Sequence, residues 1–244
     1  MSTNETYDIT TRQMGTTRQS AAAMLDPETE SRLYQLYRQF FRDSEDRRNW
    51  NLWTDIPWDS VVPEPPTALA TAVFDLYRAD LFLPDYSARS LHLLRASRGR
   101  AWFWTRWSYE EGKHLLVWIE WMVRSGVHND DYLREYAAEQ LTAHRWEPPV
   151  EDAPGIFWDM LLRETREIER ITAAQTLARE SGDAALTDAL EKILTDEYAH
   201  RDFLRDALKI IGERYEAPIR ENAGILAAIY ELPGGADDLF RLLA

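Results

Sequence analysis

Trp-Ser-Tyr-Glu-Glu-Gly-Lys-His at residues 107–114 and Asp-Glu-Tyr-Ala-His at residues 196–200 decide how this chain folds. Each contains Glu-x-x-His: Glu111 with His114, and Glu197 with His200. At a spacing of three, two side chains share one face of a helix about a turn apart. A carboxylate and an imidazole placed so reach one metal ion, or two adjacent ones. With Glu111 inward, Glu111, His114, Leu115, Trp118 and Met122 form one stripe. With Glu197 inward, Leu190, Ile193, Leu194, Glu197, His200, Leu204 and Leu208 form another. Polar groups therefore interrupt two core-facing stripes. Burying an unpaired carboxylate costs several kcal/mol. A divalent cation offsets that cost; apolar packing does not. The plainer alternative is a pair of surface Glu–His contacts with no metal.

Working outward, the pattern is helical throughout. Asp26 reads as an N-cap with Pro27 at the first helical position, and apolar spacing continues to about Phe41. Residues 44–66 hold a Trp-rich loop from Trp50 to Trp58, closed by Pro63, Pro65 and Pro66. A helix from Thr67 is expected to kink or break at Pro84 and resume through Leu94. Further helices are expected over 100–124, 130–144, 155–180, 184–213 and 218–230, with a short tail after Gly235. No strand alternation or solenoid repeat is present. The expected class is all-α, a four-helix bundle with flanking helices, formed by residues 26–244 behind a flexible segment 1–25.

Composition narrows the chemistry. There is no cysteine, so disulfides, thiolate nucleophiles and Cys-based metal sites are excluded. Carboxylate and imidazole ligands suit iron, manganese or zinc. The net charge of −14 argues against nucleic-acid binding. No apolar run spans a membrane, and the polar N-terminal residues lack a secretory pattern, so a cytoplasmic location is expected. One segment departs from the acidic background. Tyr86 to Tyr109 contains no acid but carries Arg89, Arg95, Arg98, Arg100 and Arg106. It reads either as a solvated helix face or as a dock for an acidic partner or a phosphate.

A two-metal bundle needs a carboxylate from each of two further helices. Glu164 lies on the stripe of Ile156, Phe157, Met160 and Leu161. Glu167 shares that face one turn on, and Glu169 points elsewhere. Of Asp75, Asp80 and Asp85, Asp80 follows Val73, Leu76 and Tyr77 at helical spacing.

These residues resemble the soluble acyl-carrier-protein desaturases of the ferritin-like di-iron superfamily. Asp80-Leu-Phe-Leu-Pro84-Asp-Tyr86 is similar to that family's Glu-x-x-Leu-Pro-x-Tyr. Residues 107–114 resemble its Trp-x-x-Glu-Glu-x-x-His, and 196–200 its Asp-Glu-x-x-His. Glu180 to Asp183 resembles a turn between its bundle helices, and Trp50 to Trp58 its Trp-containing loop. The likeness covers about residues 30–215. It implies a ferritin-like bundle holding two iron ions, with manganese as the other candidate. Asp80 and Glu164 would be terminal ligands, Glu111 and Glu197 would bridge, and His114 and His200 would each bind one ion. It further implies O₂-dependent desaturation of an acyl chain on acyl carrier protein, a ferredoxin-type reductant and a homodimer. Arg89, Arg95, Arg98 and Arg100 would then dock the acidic carrier. Trp107 and Glu167 are the candidate catalytic residues. Asp80 stands where the family has Glu, and Glu167 where its plant members have Thr. These departures keep two alternatives open: oxygenation of a small molecule, and a non-catalytic iron-binding bundle.

Overall fold

The computed structural model describes residues 25–244. The expected flexible segment lies outside them, apart from Leu25. The described residues contain no strand. The helices are α1 (Pro27–Asp43), α2 (Thr67–Asp80), α3 (Leu83–Leu94), α4 (Arg98–Ser125), α5 (Asp130–Ala143), α6 (Ala153–Ser181), α7 (Ala184–Gly212), α8 (Glu216–Ile229) and α9 (Ala236–Arg241).

Local chemistry sets the ends of these helices. Asp26 caps α1, accepting from the backbone N–H groups of Glu28 and Thr29, with Pro27 in the first turn. Ser97, Asp152 and Asp183 cap α4, α6 and α7 in the same way. Gly126 and Gly182 end α4 and α6 with φ of 79° and 74°, the left-handed conformation that glycine adopts without a steric penalty. The expected break near Pro84 occurs: α2 stops at Asp80, and Pro84 opens α3. Two features escaped the sequence pattern. After α1 the chain makes one wide π-type turn, Ser44–Arg48, whose Ser44 and Arg48 are buried. The expected tail instead forms α9, because Leu239 is buried and the Phe240 ring packs edge-on to Trp158.

α2, α4, α7 and α6 close a ring of pairwise contacts, which is a four-helix bundle. α1 lies against α4 and α7 on one side, while α8 covers α6 and α7 on another. The apolar core falls into two clusters. One holds Leu69, Val73, Leu76, Trp118, Trp121, Met122, Ile171 and Leu190. The other holds Phe40, Phe103, Trp104, Trp107, Phe157, Leu161, Phe203 and Leu208. Along α4 the side chains pass from one cluster to the other through Glu110, Glu111 and His114. Along α7 they do so through Asp196, Glu197 and His200, all six being buried. A polar layer thus crosses the middle of the bundle.

Gly99 sets how closely α4 approaches α1. A Cβ there would lie 2.5 Å from the backbone carbon and oxygen of Leu33. Gly224, by contrast, has nothing within 4 Å of an added Cβ. Gly99→Ala is expected to lower unfolding stability by about 1–3 kcal/mol, and Gly224→Ala to be neutral or raise it by up to ~1 kcal/mol. Chemical denaturation of the two variants checks this, and equal effects would refute the close α1–α4 contact.

Candidate metal centre

Each bundle helix delivers a carboxylate to the polar layer. α2 ends on Asp80, α4 carries Glu111, α6 Glu164 and α7 Glu197, and all are buried. The two competing aspartates lie elsewhere: Asp75 pairs with exposed Arg78, and Asp85 accepts from the backbone N–H of Trp146. Glu169 is exposed, as its helical angle predicts.

The imidazoles face the carboxylates through Nδ1. His114 Nδ1 lies 3.1 Å from Glu197 Oε1 and 3.6 Å from Glu111 Oε1. His200 Nδ1 lies 3.2 Å from Glu111 Oε1 and 3.6 Å from Glu164 Oε2. Glu111 therefore sits between the two rings. Ligand atoms of Glu111, Glu164, Glu197 and His200 fall within 4.8 Å of one another. Four of the inward-facing atoms, Glu111 Oε1, His114 Nδ1, Glu164 Oε2 and His200 Nδ1, are buried without a hydrogen-bond partner. Buried polar atoms left unsatisfied are costly, and four at one point call for a shared partner. A divalent cation fits that requirement, and this donor set of oxygen and imidazole nitrogen suits iron, manganese or zinc.

Behind the donors stands a second set of partners that the sequence reading did not anticipate. Glu110 and Asp196, the acids preceding each motif glutamate, cross over to the other motif's histidine. His200 Nε2 is 2.8 Å from Glu110, and His114 Nε2 is 3.4 Å from Asp196. With Nε2–H donating outward, each Nδ1 keeps its lone pair for a cation. Arg48, from the π-type turn, donates to Asp196 at 2.9 Å and to Glu110 at 3.4 Å. Ser44 and Arg106 donate to Glu110, and Trp50 Nε1 to Asp196 at 2.8 Å. The doubled acids Glu110-Glu111 and Asp196-Glu197 were the sequence clue to this layer. Residues 44–50 gave none, since their role depends on where the turn lands.

Two indoles steady the outer carboxylates. Trp118 Nε1 donates to Asp80 at 2.6 Å, and Trp107 Nε1 to Glu164 at 2.8 Å. Trp107 thus orients a candidate ligand. Glu167 sits at the edge, with one oxygen on Arg170 at 3.2 Å and the other buried without a partner.

The charges are strongly coupled. Burial, then Glu167 and Glu111, push the Asp80 carboxyl well above its ordinary value. Burial, then Glu111 and Glu164, do the same to Glu197. Burial alone would lower His114, but Glu111 and Asp196 outweigh it and raise the ring to about 10. Burial would raise Glu111, but the two imidazoles hold it at about 2. Burial lifts Glu167 to about 7, against Arg170 and with Glu111 and Glu164.

The arginine segment needs correction. Arg100 is fully buried, and its guanidinium pairs with Glu30 at 2.6 Å, so it cannot dock a partner. Arg89 is held by Glu147 and Glu151, and Arg106 by Glu45 and Glu110. Only Arg95 and Arg98 of the segment remain exposed. A stretch without acids in the chain is supplied with them by folding.

A cavity of ≈ 260 Å³ opens beside the cluster. Asp80, Glu111, Glu164, Glu167 and Glu197 form its floor, with Trp107, Leu83 and Met160 on its walls.

Cation binding competes with protons on Asp80, Glu197 and His114, whose affinity for them is raised in this cluster. Affinity for zinc(II) or iron(II) is therefore expected to rise with pH. Calorimetry in buffers of different ionisation heat checks for released protons; binding that is independent of pH would count against these ligands. Glu110→Gln is expected to weaken the metal by roughly 10–100-fold. No known protein family, curated protein or solved structure matches this chain.

Proposed function

We propose that the chain is a di-iron, O₂-dependent oxidoreductase of the ferritin-like kind. One observation carries the reading: buried, unpartnered donor atoms from separate bundle helices face one another beside an open cavity. Glu111, Glu164, Glu197 and His200 would hold one ion. Asp80 and His114, with Glu111 and Glu197 shared, would hold a second. Four carboxylates then balance two divalent charges, and Glu110 and Asp196 are balanced separately by Arg48, Arg106 and Lys113. Iron held by these residues would supply the redox chemistry for O₂ reduction, which no side chain can. The residues do the rest. Nε2–H contacts to Glu110 and Asp196 fix the rings, Trp107 and Trp118 fix the outer carboxylates, and the apolar clusters exclude water. Glu167, with a buried free oxygen at the cavity edge, is placed to hold or pass a proton.

The resemblance points to desaturation of an acyl chain on acyl carrier protein. In balance, R–CH₂–CH₂–R′, O₂, two electrons and two protons give R–CH=CH–R′ and two waters. The electrons would come from a ferredoxin-type donor. Carrier docking would fall to Arg95 and Arg98. Oxygenation of a small molecule is the second reading, and the size of the cavity favours it.

The homodimer has a candidate surface on α4. Trp102, Tyr109, Leu116 and Val123 follow at seven-residue spacing and are exposed. Thr105, Gly112 and Ile119 complete the alternating three–four spacing of a helix–helix seam. A second copy laid antiparallel about Gly112 sets Trp102 against Val123 and Tyr109 against Leu116, large against small.

Metal analysis is expected to find two irons per chain, and the ferrous protein to consume O₂. Mass spectrometry of the products then separates loss of two hydrogens from gain of one oxygen. A chain that takes up no iron would end the redox reading. Sedimentation is expected to show a dimer that Leu116→Glu converts to a folded monomer. A wild-type monomer at micromolar concentration would remove the seam.

A further inference from the structure

The cavity beside the metal cluster has a floor and a rim of opposite charge. At the rim, Arg163, Arg166 and Arg170 project from one face of α6, at spacings of three and four. Two of them are already matched by acids. Arg163 donates to buried Asp159 at 2.9 Å, and Arg170 pairs with Glu167 at 3.2 Å. Arg166 has no carboxylate within ion-pair distance among the described residues; its guanidinium lies over the Tyr230 ring, 5.3 Å from the centroid. Three arginines against two acids leave one positive charge, and it resides on Arg166.

The surroundings hold this group in place. The Tyr230 hydroxyl donates to Asp159, the same carboxylate that holds Arg163. Arg163 in turn lies over the rings of Tyr86 and Trp146, at 5.2 and 5.4 Å. Arg166 therefore rests on an aromatic shelf locked to the bundle by a buried aspartate. A pre-organised guanidinium fork at the mouth of a cavity suits a planar, two-oxygen anion.

Size narrows the ligand further. A volume of ≈ 260 Å³ lies just under the ~300–1,000 Å³ of sites that enclose drug-sized ligands. A compact molecule fills that space, whereas a long acyl chain would have to run on through the open mouth.

We infer that the cavity takes a small organic carboxylate, its charged end on Arg166 and its apolar end toward Glu111, Glu164 and Glu197. The anchor holds the carboxylate at the rim and leaves the far carbon atoms over the cluster. This rests on the oxidase reading only in that the metal cluster is the floor of the cavity.

The test is equilibrium dialysis of hexanoate and hexanamide against the zinc-loaded full chain, with metal content measured separately. Wild type is expected to prefer hexanoate by about tenfold or more. Arg166→Gln is expected to abolish the preference while keeping helical content and zinc, and Arg166→Lys to restore part of it. Equal binding of the acid and the amide by wild type would overturn the inference. So would a preference that survives in Arg166→Gln, since the metal would then be the anchor. Tighter, Arg166-dependent binding of 4′-phosphopantetheine than of hexanoate would also overturn it, in favour of a carrier-borne substrate. Failure to take up zinc, with Arg166-dependent hexanoate binding intact, would refute the oxidase reading and leave the anchor standing.

Discussion

Four carboxylates buried at the centre of a helical bundle are the constraint on which the rest of this structure depends. Asp80, Glu111, Glu164 and Glu197 lie between two apolar clusters, far from water that could screen them. Their mutual repulsion in such a place costs more than any single apolar contact returns. His114 and His200 beside them relieve it in part, and a divalent cation held by the cluster would relieve more of it. Apolar packing of the two clusters supplies the stability against which the polar layer is tolerated. Residues that look like defects in two core stripes thus mark a buried cluster that could hold a metal ion.

The outer partners turn that charge into geometry. Glu110 and Asp196 each reach across to the histidine of the opposite motif, so α4 and α7 are tied through both imidazole rings. Arg48 touches both acids and ties in the turn that follows α1. Trp107 and Trp118 perform the matching task for Glu164 and Asp80. Four of the six candidate donors, Asp80, His114, Glu164 and His200, are thereby held by a group outside the donor set. Pre-organisation of this kind removes the ordering cost that a cation would otherwise meet on binding.

The cavity inherits its polarity from one helix. α6 carries Glu164 on the metal side and Arg163, Arg166 and Arg170 on the rim, with Glu167 between them. A rotation of about 100° per residue is enough to separate the two signs around one axis. The same helix thus presents Glu164 to the cluster and, a turn away, the Arg166 guanidinium to the cavity mouth. The inferred carboxylate and the proposed metal would be placed relative to one another by that single rigid element.

Helical class, the break at Pro84, the cap at Asp26 and the clustered donors Glu111, Glu164, Glu197 and His200 were legible in the chain. They follow from interactions within a few residues: spacing on one face, a missing N–H, a capping side chain. Glu111 and His114 announce themselves because they are three apart on a stripe that is otherwise apolar. Nothing local reveals that Glu110 meets His200, 90 residues away, or that Arg48 bridges two acids 62 and 148 residues distant. Arg100 shows the same limit from the other side: its neighbours in sequence contain no acid, yet Glu30 meets it in space. The chain alone determined which faces of the helices are polar. Only the tertiary structure decided which polar groups meet, because pairing depends on how helices are placed around one another, and that placement is set by packing summed over the whole core.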